Sequence, residues 1–348
     1  MGEALTLRER RVLEAVILSF VDTAEPAGSR TIAKRYDLGV SAATIRNTMS
    51  DLEDRGYLYH PHTSAGRIPT DLAYRVYVDA LMAPKAPSPI EQARLRDELM
   101  PERSAIEALL GRAAEVLGLL TSELGVAVAP SMDNAMLERL ELIEASNERL
   151  LMVLVLSGGL ARTIFVEVQN RLPREALAGV ALVLNERLTG LPLKEIRASL
   201  RERLHDSGPA GAQRELLNIF IEESDQIFEI GSPDQQVLLG STRPLTGQPE
   251  FSSNEGMRNL LDITEQRDLL VDSLRARKEP GITVTIGAEN FDPQLSSFTI
   301  VTSTFKSAGF RGTIGVMGPT RMPYQKVVTM VEHTSRLVAD LLSGQVTR

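Results

Sequence analysis

The chain has 348 residues, of which 43% are hydrophobic, and it contains no cysteine. This length predicts two or three domains with buried cores, and the absence of cysteine excludes a disulfide scaffold, a thiol nucleophile and cysteine-ligated metal sites. The formal net charge is −8, but residues 1–82 hold 10 Lys and Arg against 11 Asp and Glu, so most of the acidity lies in the rest of the chain.

The sequence carries no sign of a membrane segment. No apolar run approaches the roughly 20 residues that a membrane-spanning helix needs. The N-terminal residues lack the apolar core of a signal peptide. We therefore expect a cytoplasmic protein without a membrane partner.

Residues 6–22 are predicted to form an amphipathic first helix. Apolar residues recur there at the spacing of one helix face: Leu13, Val16, Ile17 and Phe20. Such a face predicts that the helix packs one side into a core.

A short second helix is predicted after this first one. Ser29 can cap it, and its outward residues include Arg30, Lys34 and Arg35. This basic cluster fits a phosphate-binding surface and a merely solvated surface equally well. The break at residues 37–40 contains a glycine and predicts the tight turn of a helix-turn-helix.

Residues 41–58 contain the most informative pattern of the chain. Ser41 is a suitable N-cap, and Gly56 is a suitable stop because glycine tolerates the left-handed conformation. Between them one helix face is apolar and consists of Ile45, Met49 and Leu52. The opposite face is small and polar near its N-terminal end, as in a helix that enters the DNA major groove N-terminus first.

Individual roles on this polar face follow from side-chain chemistry. The Asn47 amide can pair bidentately with adenine, so we expect it to contact a base. Arg46 can read guanine or hold a phosphate, and the sequence leaves both roles open. The hydroxyls of Ser41, Thr44 and Ser50 are expected to bond phosphates.

A short hairpin is predicted directly after this helix. Residues 57–60 have strand propensity, and residues 67–69 can return as a second strand, which together with the preceding helices makes a winged helix. The hairpin carries groups that can donate to phosphate or reach a minor groove: His60, His62, Ser64 and Arg67. His60 and His62 could also suggest a metal pair, but two ligands without a cysteine favour phosphate contact or solvent exposure.

Two long motifs resemble one protein family. The first is HTSAGRIPT at 62–70, followed by AYRVYV at 73–78 and preceded by SxxTIRNxM and LExxGYL within 41–58. The second is GVMGPTRMxY at 315–324, more than 240 residues further along the chain. In content and order these motifs are similar to HrcA, the family of bacterial heat-inducible transcription repressors, and the resemblance extends over the whole chain.

The resemblance implies properties that the residues alone do not reveal. HrcA proteins bind an inverted repeat called CIRCE upstream of chaperone operons as dimers, and repress transcription until heat releases them. The chaperonin GroEL keeps the repressor in its active fold. The implied fold class is α+β: an N-terminal winged helix-turn-helix followed by a GAF-like α+β domain with a helical dimerising insertion. The implied domains are a winged helix at 1–82, a linker at 83–104, the GAF-like domain at 105–170 and 229–348, and the insertion at 171–228.

The pattern of the remaining chain alternates between helix and strand periods. Helices are predicted at 102–124, in three segments over 173–228, near 256–276 and at 327–342. Strands are predicted at 140–143, 151–156, 163–168, 282–286, 298–303 and 313–317. Because a helical block interrupts strand-rich segments, we expect strands on both sides of it to share one antiparallel sheet.

The second half of the chain shows no catalytic set. Gly315-x-x-Gly318 lacks the Lys-Ser/Thr of a phosphate loop, so a turn at a strand end is expected there. Arg321 could hold an anion, but a helix-capping or salt-bridge role is favoured. We expect no enzymatic activity, no cofactor and no metal site.

Together with the winged-helix pattern, the resemblance to HrcA implies a dimeric repressor of heat-shock chaperone genes, with double-stranded DNA, a second copy of the chain and the chaperonin as partners. The residues expected to contact DNA are Ser29, Arg30, Ser41, Thr44, Arg46, Asn47, Ser50, His62, Ser64 and Arg67. The alternative is a winged-helix regulator that senses a small metabolite through its GAF-like domain. A dose-dependent loss of DNA binding at constant temperature would favour that alternative.

Overall fold

The computed structural model describes residues 4–62, 65–83, 85–102, 106–129, 135–146, 148–157, 160–168, 173–205, 212–222, 237–275, 281–307 and 310–343. The chain forms two compact units. The first comprises Met1–Val128, Val237–Phe305 and Thr313–Val338, and the second comprises Ala129–Gln236, Lys306–Gly312 and Ala339–Arg348. No helix among the described residues is long and apolar enough to cross a membrane.

The first unit begins with an N-terminal module at residues 4–82. Its elements are α1 (Leu7–Thr23), α2 (Ser29–Arg35), α3 (Ala42–Asp54), β1 (Leu58–Tyr59), β2 (Ile68–Pro69) and α4 (Asp71–Val76), which continues as a π-helical turn over Tyr77–Leu81. The predicted helices and hairpin are confirmed, with β1 antiparallel to β2. The core consists of fully buried apolar side chains from these elements: Leu13, Ile17, Ile32, Ile45, Leu52 and Leu58.

Local capping fixes where these helices begin. In α1 the Thr6 hydroxyl accepts from the Glu9 amide, and the Glu9 carboxylate accepts from the Thr6 amide, which is a capping box. As predicted, α3 begins after Ser41, whose hydroxyl accepts from an amide in the first turn. Thr70 caps α4 in the same way. Each cap satisfies a backbone amide that the helix itself leaves without a partner.

The third helix ends at the predicted glycine. Gly56 has a φ of 78°, a left-handed conformation that costs glycine little. Its amide donates to the Glu53 carbonyl at 2.8 Å, and the Tyr57 amide donates to the Leu52 carbonyl at 2.9 Å. These two bonds form a Schellman motif, which satisfies terminal carbonyls and turns the chain into β1.

The rest of the first unit is built around a five-stranded sheet. Its strands are β3 (Leu124–Val128), β7 (Val237–Leu239), β8 (Gly281–Ile286), β9 (Phe298–Ser307) and β10 (Phe310–Pro319), in the order β7-β3-β10-β9-β8. β3 is antiparallel to both β7 and β10, and β8 is antiparallel to β9. A strand from before the helical block therefore pairs with strands from after it, but this strand, β3, was not among the predicted ones.

Helices pack against this sheet. They include α6 (Ile106–Thr121) and the helices Asn254–Glu265 and Arg267–Arg275, whereas α5 (Pro89–Leu99) packs on α6. The C-terminal helix is Tyr324–Leu342. α6 lies against β3 and β7. The buried cluster between sheet and middle helices includes Val126, Leu260, Ile263, Leu270, Phe298 and Ile300. Burial of this apolar surface, at about 25 cal/mol per Å², is the main force that holds the helices on the sheet.

The structure differs from the sequence prediction of a linker over residues 83–104. α5 fills half of that segment and begins at a capping box, in which Ser88 and Glu91 bond each other's amides. Pro89 stands at the first helical position, where its missing N–H costs nothing. Prolines in this segment predict a break in structure, but here one of them starts a helix whose Leu95 and Leu99 are buried.

The second unit pairs a small sheet with helices. Its strands are β4 (Leu137–Ser146), β5 (Arg149–Leu156) and β6 (Leu160–Glu167), in the order β4-β5-β6. Its helices are α7 (Arg174–Leu188), α8 (Leu193–His205) and α9 (Ala212–Glu222). The Asn185 side chain accepts from the Leu140 amide at 2.8 Å and donates to the Leu140 carbonyl at 2.7 Å. In this way α7 occupies backbone groups on the outer edge of β4.

This grouping differs from the predicted domain boundaries. β4, β5 and β6 were expected in the same sheet as the later strands, but they form a separate sheet in a unit that starts at Ala129 rather than at residue 171. Apolar alternation identifies a strand but not its neighbour, because pairing is decided by contacts distant in sequence.

The expected turn at Gly315-x-x-Gly318 is also wrong. Both glycines lie inside β10, where Gly315 is paired with Val126 of β3. Glycine inside a strand marks a place where another backbone approaches closely. In the sequence, such a glycine looks the same as a glycine that forms a turn.

Candidate nucleic-acid interface

The outer face of α3 is exposed along the N-terminal half of the helix. Ala43, Arg46, Asn47 and Ser50 are exposed, and Thr44 is half-buried. The opposite face holds Ile45, Thr48, Met49 and Leu52, all buried against the module's core. We call Ala43, Arg46, Asn47 and Ser50 the reading face, because burial of the apolar side fixes these four side chains outward.

Two polar side chains of the reading face have no partner of their own. Among the described residues, no hydrogen bond or ion pair engages the side chains of Arg46 and Asn47. Their donors and acceptors are therefore free for a ligand. Asp51 and Asp54 are exposed near the other end of α3, so negative charge is kept away from the end that the helix dipole makes positive.

The hydroxyls of Ser41 and Thr44 already have hydrogen-bond partners at the start of α3. The Ser41 hydroxyl accepts from the Thr44 amide at 3.2 Å and lies 3.0 Å from the Thr44 hydroxyl. Their main role in this geometry is to close the first turn of α3. Ser41 is exposed and Thr44 is half-buried.

A polar groove adjoins the reading face. It has a volume of about 290 Å³ and is lined by Ala27, Gly28, Ser29, Arg46, Met49, His60, Ala65, Gly66 and Arg67. Ser29, Arg46 and Arg67, predicted from three separate stretches of sequence, thus surround one space. A groove with two guanidinium groups, a hydroxyl and the start of α2 has the chemistry of a phosphate site.

One acidic residue that the sequence analysis did not single out organises the hairpin side of this groove. The Glu53 carboxylate contacts Nδ1 of His60 with one oxygen and lies 2.7 Å from Nε of Arg67 with the other. Nε of Arg67 is out of line for a hydrogen bond, so the contact to Glu53 is ionic. The sequence signal for Glu53 was present, since it belongs to the motif LExxGYL.

Main-chain bonds fix the hairpin further. The amide and carbonyl of Arg67 bond the carbonyl and amide of Ala27 at 2.9 and 2.8 Å. A Cβ atom on Gly66 would lie 2.5 Å from the Pro26 carbonyl oxygen, so only glycine permits this approach. Arg67 therefore holds the hairpin in place beside α2 in addition to any role toward DNA.

The basic cluster on α2 divides into two kinds of residue. Arg35 forms an ion pair with Asp22 at 2.6 Å and lies over the Tyr36 ring. Arg30 and Lys34 are exposed, and neither has an ion-pair partner within the part of the chain that the structure describes. The prediction that Ser29 caps α2 is wrong, because Ser29 is the first helical residue and the N-cap is Gly28, which has no side chain to accept a bond. Ser29 is half-buried there.

The tip of the hairpin is described only in part. His62 is exposed, and Ser64 lies outside the described residues, so its predicted contact is not located. Within the described ranges, no group of three or more His, Cys, Asp or Glu residues could hold a metal ion. The partner of His60 is the Glu53 carboxylate.

Comparison with known proteins places this geometry in a family. The model of the HrcA protein C-terminal domain matches residues 107–328. The heat-inducible transcription repressor HrcA of Chlorobium phaeobacteroides (strain BS1) is 37% identical over 356 residues, covering 99% of this chain and 100% of the relative. The repressor of the same name from Chlorobaculum tepidum is 38% identical over 355 residues, covering 98% of both chains.

A crystal structure of a hypothetical protein has a TM-score of 0.67 to this chain at 22% sequence identity, covering 99% of this chain and 100% of that one. This likeness supports the mixed α+β fold. The relatives are transcription repressors, a class of protein that acts by binding DNA. The chain belongs to the HrcA family of heat-inducible transcription repressors.

Proposed function

We propose that the N-terminal module is a winged helix-turn-helix that reads DNA with α3 and uses the β1–β2 hairpin as its wing. The reading face supports this proposal, because it places unpartnered Arg46 and Asn47 side chains on the exposed side of α3. The groove beside it offers a phosphate site at Ser29 and Arg67. Phosphate contacts set the position on the duplex, and base contacts set the sequence.

Within this proposal the chemistry of each side chain decides which part of the DNA it contacts. Asn47 pairs with adenine, since an amide presents one donor and one acceptor to the adenine edge. Arg46 lines the groove and faces either guanine or a phosphate. Arg30 contacts the backbone of the duplex beside α2, and Ser50 and His62 donate to phosphates.

A single copy of the module makes a weak electrostatic footprint. Residues 27–67 hold six basic and four acidic residues, and Arg35 and Arg67 each already have an acidic partner. Two copies on one duplex double the number of phosphate contacts, and an inverted repeat presents the two half-sites with matching symmetry. We therefore propose a homodimer on the CIRCE inverted repeat, upstream of chaperone operons.

The larger architecture is proposed from the family. The five-stranded sheet with its helices is the GAF-like domain, and the second unit is the inserted domain through which two copies pair. Heat releases the repressor from its operator, and the chaperonin GroEL restores the binding-competent form. A net folding stability of a few kcal/mol makes such a reversible switch accessible on heating.

The test is binding to a labelled CIRCE duplex and to a scrambled duplex at one fixed salt concentration, across temperature, with and without chaperonin. We expect preference for the inverted repeat, loss of that preference on heating and its recovery with chaperonin. Equal binding to both duplexes at low temperature would contradict sequence reading by α3.

A second candidate function rests on a cavity in the sheet domain. It has a volume of about 250 Å³ and lies beside Glu250, Ser253, Asn259, Ser297 and Thr320. A small polar metabolite in this cavity would make the protein a ligand-gated regulator. Loss of DNA binding with increasing metabolite concentration at constant temperature would favour this function over heat release.

A further inference from the structure

The second sequence motif contacts the N-terminal module through Arg321. Its Nε and one terminal nitrogen donate to the two oxygens of Glu250 at 2.6 and 3.0 Å. Its other terminal nitrogen donates to the carbonyl of Val21 in the last turn of α1 at 2.7 Å. The Arg321 side chain is only 13% exposed, so its bonds to Glu250 and to Val21 are largely shielded from solvent.

The contact compensates for a feature of α1. The last turn of α1 contains no basic residue, although the carbonyls there lack helical partners and carry the negative end of the dipole. Arg321, 300 positions further along the chain, supplies the missing cation. The Glu250 carboxylate fixes the guanidinium plane by a two-point bond, which lysine cannot reproduce.

A second clamp lies at α4. Nε of Arg75 donates to Glu289 at 2.8 Å, and a terminal nitrogen donates to the Val284 carbonyl of β8 at 2.6 Å. From the first turn of α4, Asp71 accepts from the Ala288 amide at 3.1 Å. Burial raises the pKa of Glu289, but the bonds from Arg75 and from a backbone amide outweigh it and lower that pKa overall.

Aromatic rings fill the space between module and sheet domain. Tyr74 and Tyr77 of the first motif lie 5.5 and 6.4 Å, between ring centroids, from Tyr324 of the second motif. All three tyrosines are at most 2% exposed. We call these rings together with Asp71, Arg75, Glu250, Glu289 and Arg321 the joint.

We propose that Arg321 and Arg75 are positioning residues that hold the N-terminal module in one orientation on the five-stranded sheet domain. This fixed orientation is one requirement for two copies of the chain to present their reading faces at one spacing. The part of this inference that concerns spacing rests on the proposed function, since it requires two reading faces on one duplex. The part that concerns orientation stands on the contacts of the joint alone.

A fixed orientation has a measurable consequence on DNA. One turn of duplex is about 10–10.5 base pairs, so each base pair inserted between half-sites rotates one of them by about 35° around the axis. A rigidly held module cannot follow this rotation without breaking the joint. A loosely held module follows it at little cost.

The orientation is tested without DNA by the distance between two spin labels. The chain has no cysteine, so Lys34→Cys on α2 and Leu261→Cys on the sheet domain give two unique sites, both exposed. Labelled protein is diluted with unlabelled chain so that only distances within one chain are read. We expect one narrow distance distribution, and a distribution several-fold broader after Arg321→Gln combined with Arg75→Gln.

A matched control is available on the C-terminal helix. Arg336 also pairs with a glutamate, but one turn away on the same helix and with 67% of its side chain exposed. Arg336→Gln should leave the distribution narrow. If the double variant unfolds, Arg75→Gln alone serves, because its ion pair with Glu289 is more exposed. Distributions of equal width in the parent and in folded joint variants would overturn the inference.

The spacing is tested with operators whose half-sites are moved apart by one to three base pairs. The parent chain should lose about tenfold or more in affinity per shift, comparable to the loss of a matched base pair, whereas joint variants should lose far less. An unchanged spacing profile in variants with broad distance distributions would overturn the role in spacing. Failure of the parent to prefer the inverted repeat would instead contradict the proposed function, while the distances would still decide the joint.

Discussion

The arginines on the reading side and those in the joint differ in whether their side chains have bonding partners. On the reading side, Arg30 and Arg46 are exposed, and no partner engages them in the described part of the chain. In the joint, Arg75 and Arg321 each bond a carboxylate and a backbone carbonyl. The bond to Glu250 raises the pKa of Arg321. Identical side chains therefore serve as free binding groups in one region and as fixed connectors in the other.

This difference separates residues whose loss should affect DNA from residues whose loss should affect architecture. An unpartnered exposed charge contributes little to folding, so its loss should affect ligand binding more than stability. A partly buried charge with two partners is costly to leave unpaired, so its neighbours depend on it.

The joint should respond most strongly to loss of a ring. Tyr324→Ala removes a fully buried aromatic side chain and should lower the free energy of unfolding by about 3–5 kcal/mol. Phe291→Ala removes a ring that is 89% exposed and should change it by less than about 0.5 kcal/mol. Denaturant unfolding measures both, and similar small losses would mean that the joint is not a packed region.

The reading face should respond in sequence choice rather than in stability. Asn47→Ala should reduce the preference for the inverted repeat over a scrambled duplex by about 1–3 kcal/mol. The unfolding free energy should stay within about 0.5 kcal/mol of the parent, since Asn47 is exposed. Competition binding at fixed salt gives the ratio of the affinities for the two duplexes. Equal losses of affinity on both duplexes would show that Asn47 does not contact a base.

A buried carboxyl next to the joint should make stability depend on pH. Glu123 is 1% exposed, and burial raises its pKa well above the usual value, although Gln248 and Arg321 act against this. A raised folded-state pKa means that stability falls as pH rises from the unfolded-state pKa toward the folded one.

Glu123→Gln removes the ionisable group, so the variant should gain on the order of 1 kcal/mol at neutral pH, with each unit of pKa shift worth about 1.4 kcal/mol. The gain should grow from pH 5 to pH 8 in thermal melts. A gain that is constant across this range, or a loss that grows with pH, would contradict a raised pKa for Glu123.

Two tyrosine hydroxyls of the joint should contribute differently to the free energy of unfolding. The Tyr324 hydroxyl donates to the Thr320 carbonyl at 2.7 Å and lies 3.1 Å from the Thr299 hydroxyl. The Tyr74 hydroxyl is buried with no hydrogen-bond partner among the described residues. Tyr324→Phe should therefore cost about 1 kcal/mol, and Tyr74→Phe should be neutral or stabilising. The reverse order in denaturant unfolding would show that the Tyr74 hydroxyl has a partner in solution.

Ion pairing on the reading side should set the salt dependence. Arg46→Ala should reduce the slope of log K against log salt by about 0.9 if Arg46 neutralises one phosphate. Arg35→Ala serves as the control, since Arg35 already pairs with Asp22 and should change the slope less. Equal changes would indicate that the Asp22 pair opens on DNA.

Several local features of this chain were readable before the structure. The Ser41 cap, the Gly56 stop and the buried row of Ile45, Met49 and Leu52 follow from short-range rules, and the structure contains each of them. Capping and helix periodicity act within a few residues, so a single sequence contains the information. The outward placement of Asn47 then follows without further knowledge.

Partnerships between distant residues were not readable in the same way. Arg321 was expected to cap a helix or form a salt bridge, and the salt bridge is confirmed, but nothing in the sequence identified Glu250 or α1 as its partners. Glu53 was likewise not singled out, although it pairs with two groups of the hairpin. These pairings depend on how the elements pack, which no local pattern contains.

The sequence by itself determined most helices, most strands, the reading face and the family, because these depend on local periodicity, capping and motif content. The tertiary structure alone decided which strands share a sheet, where the second unit begins and that the two distant motifs meet in one joint. The physical reason is that strand pairing, ring packing and shared ion pairs gain free energy only between groups brought together by folding. The spacing of residues along the chain does not show which distant groups will lie close together.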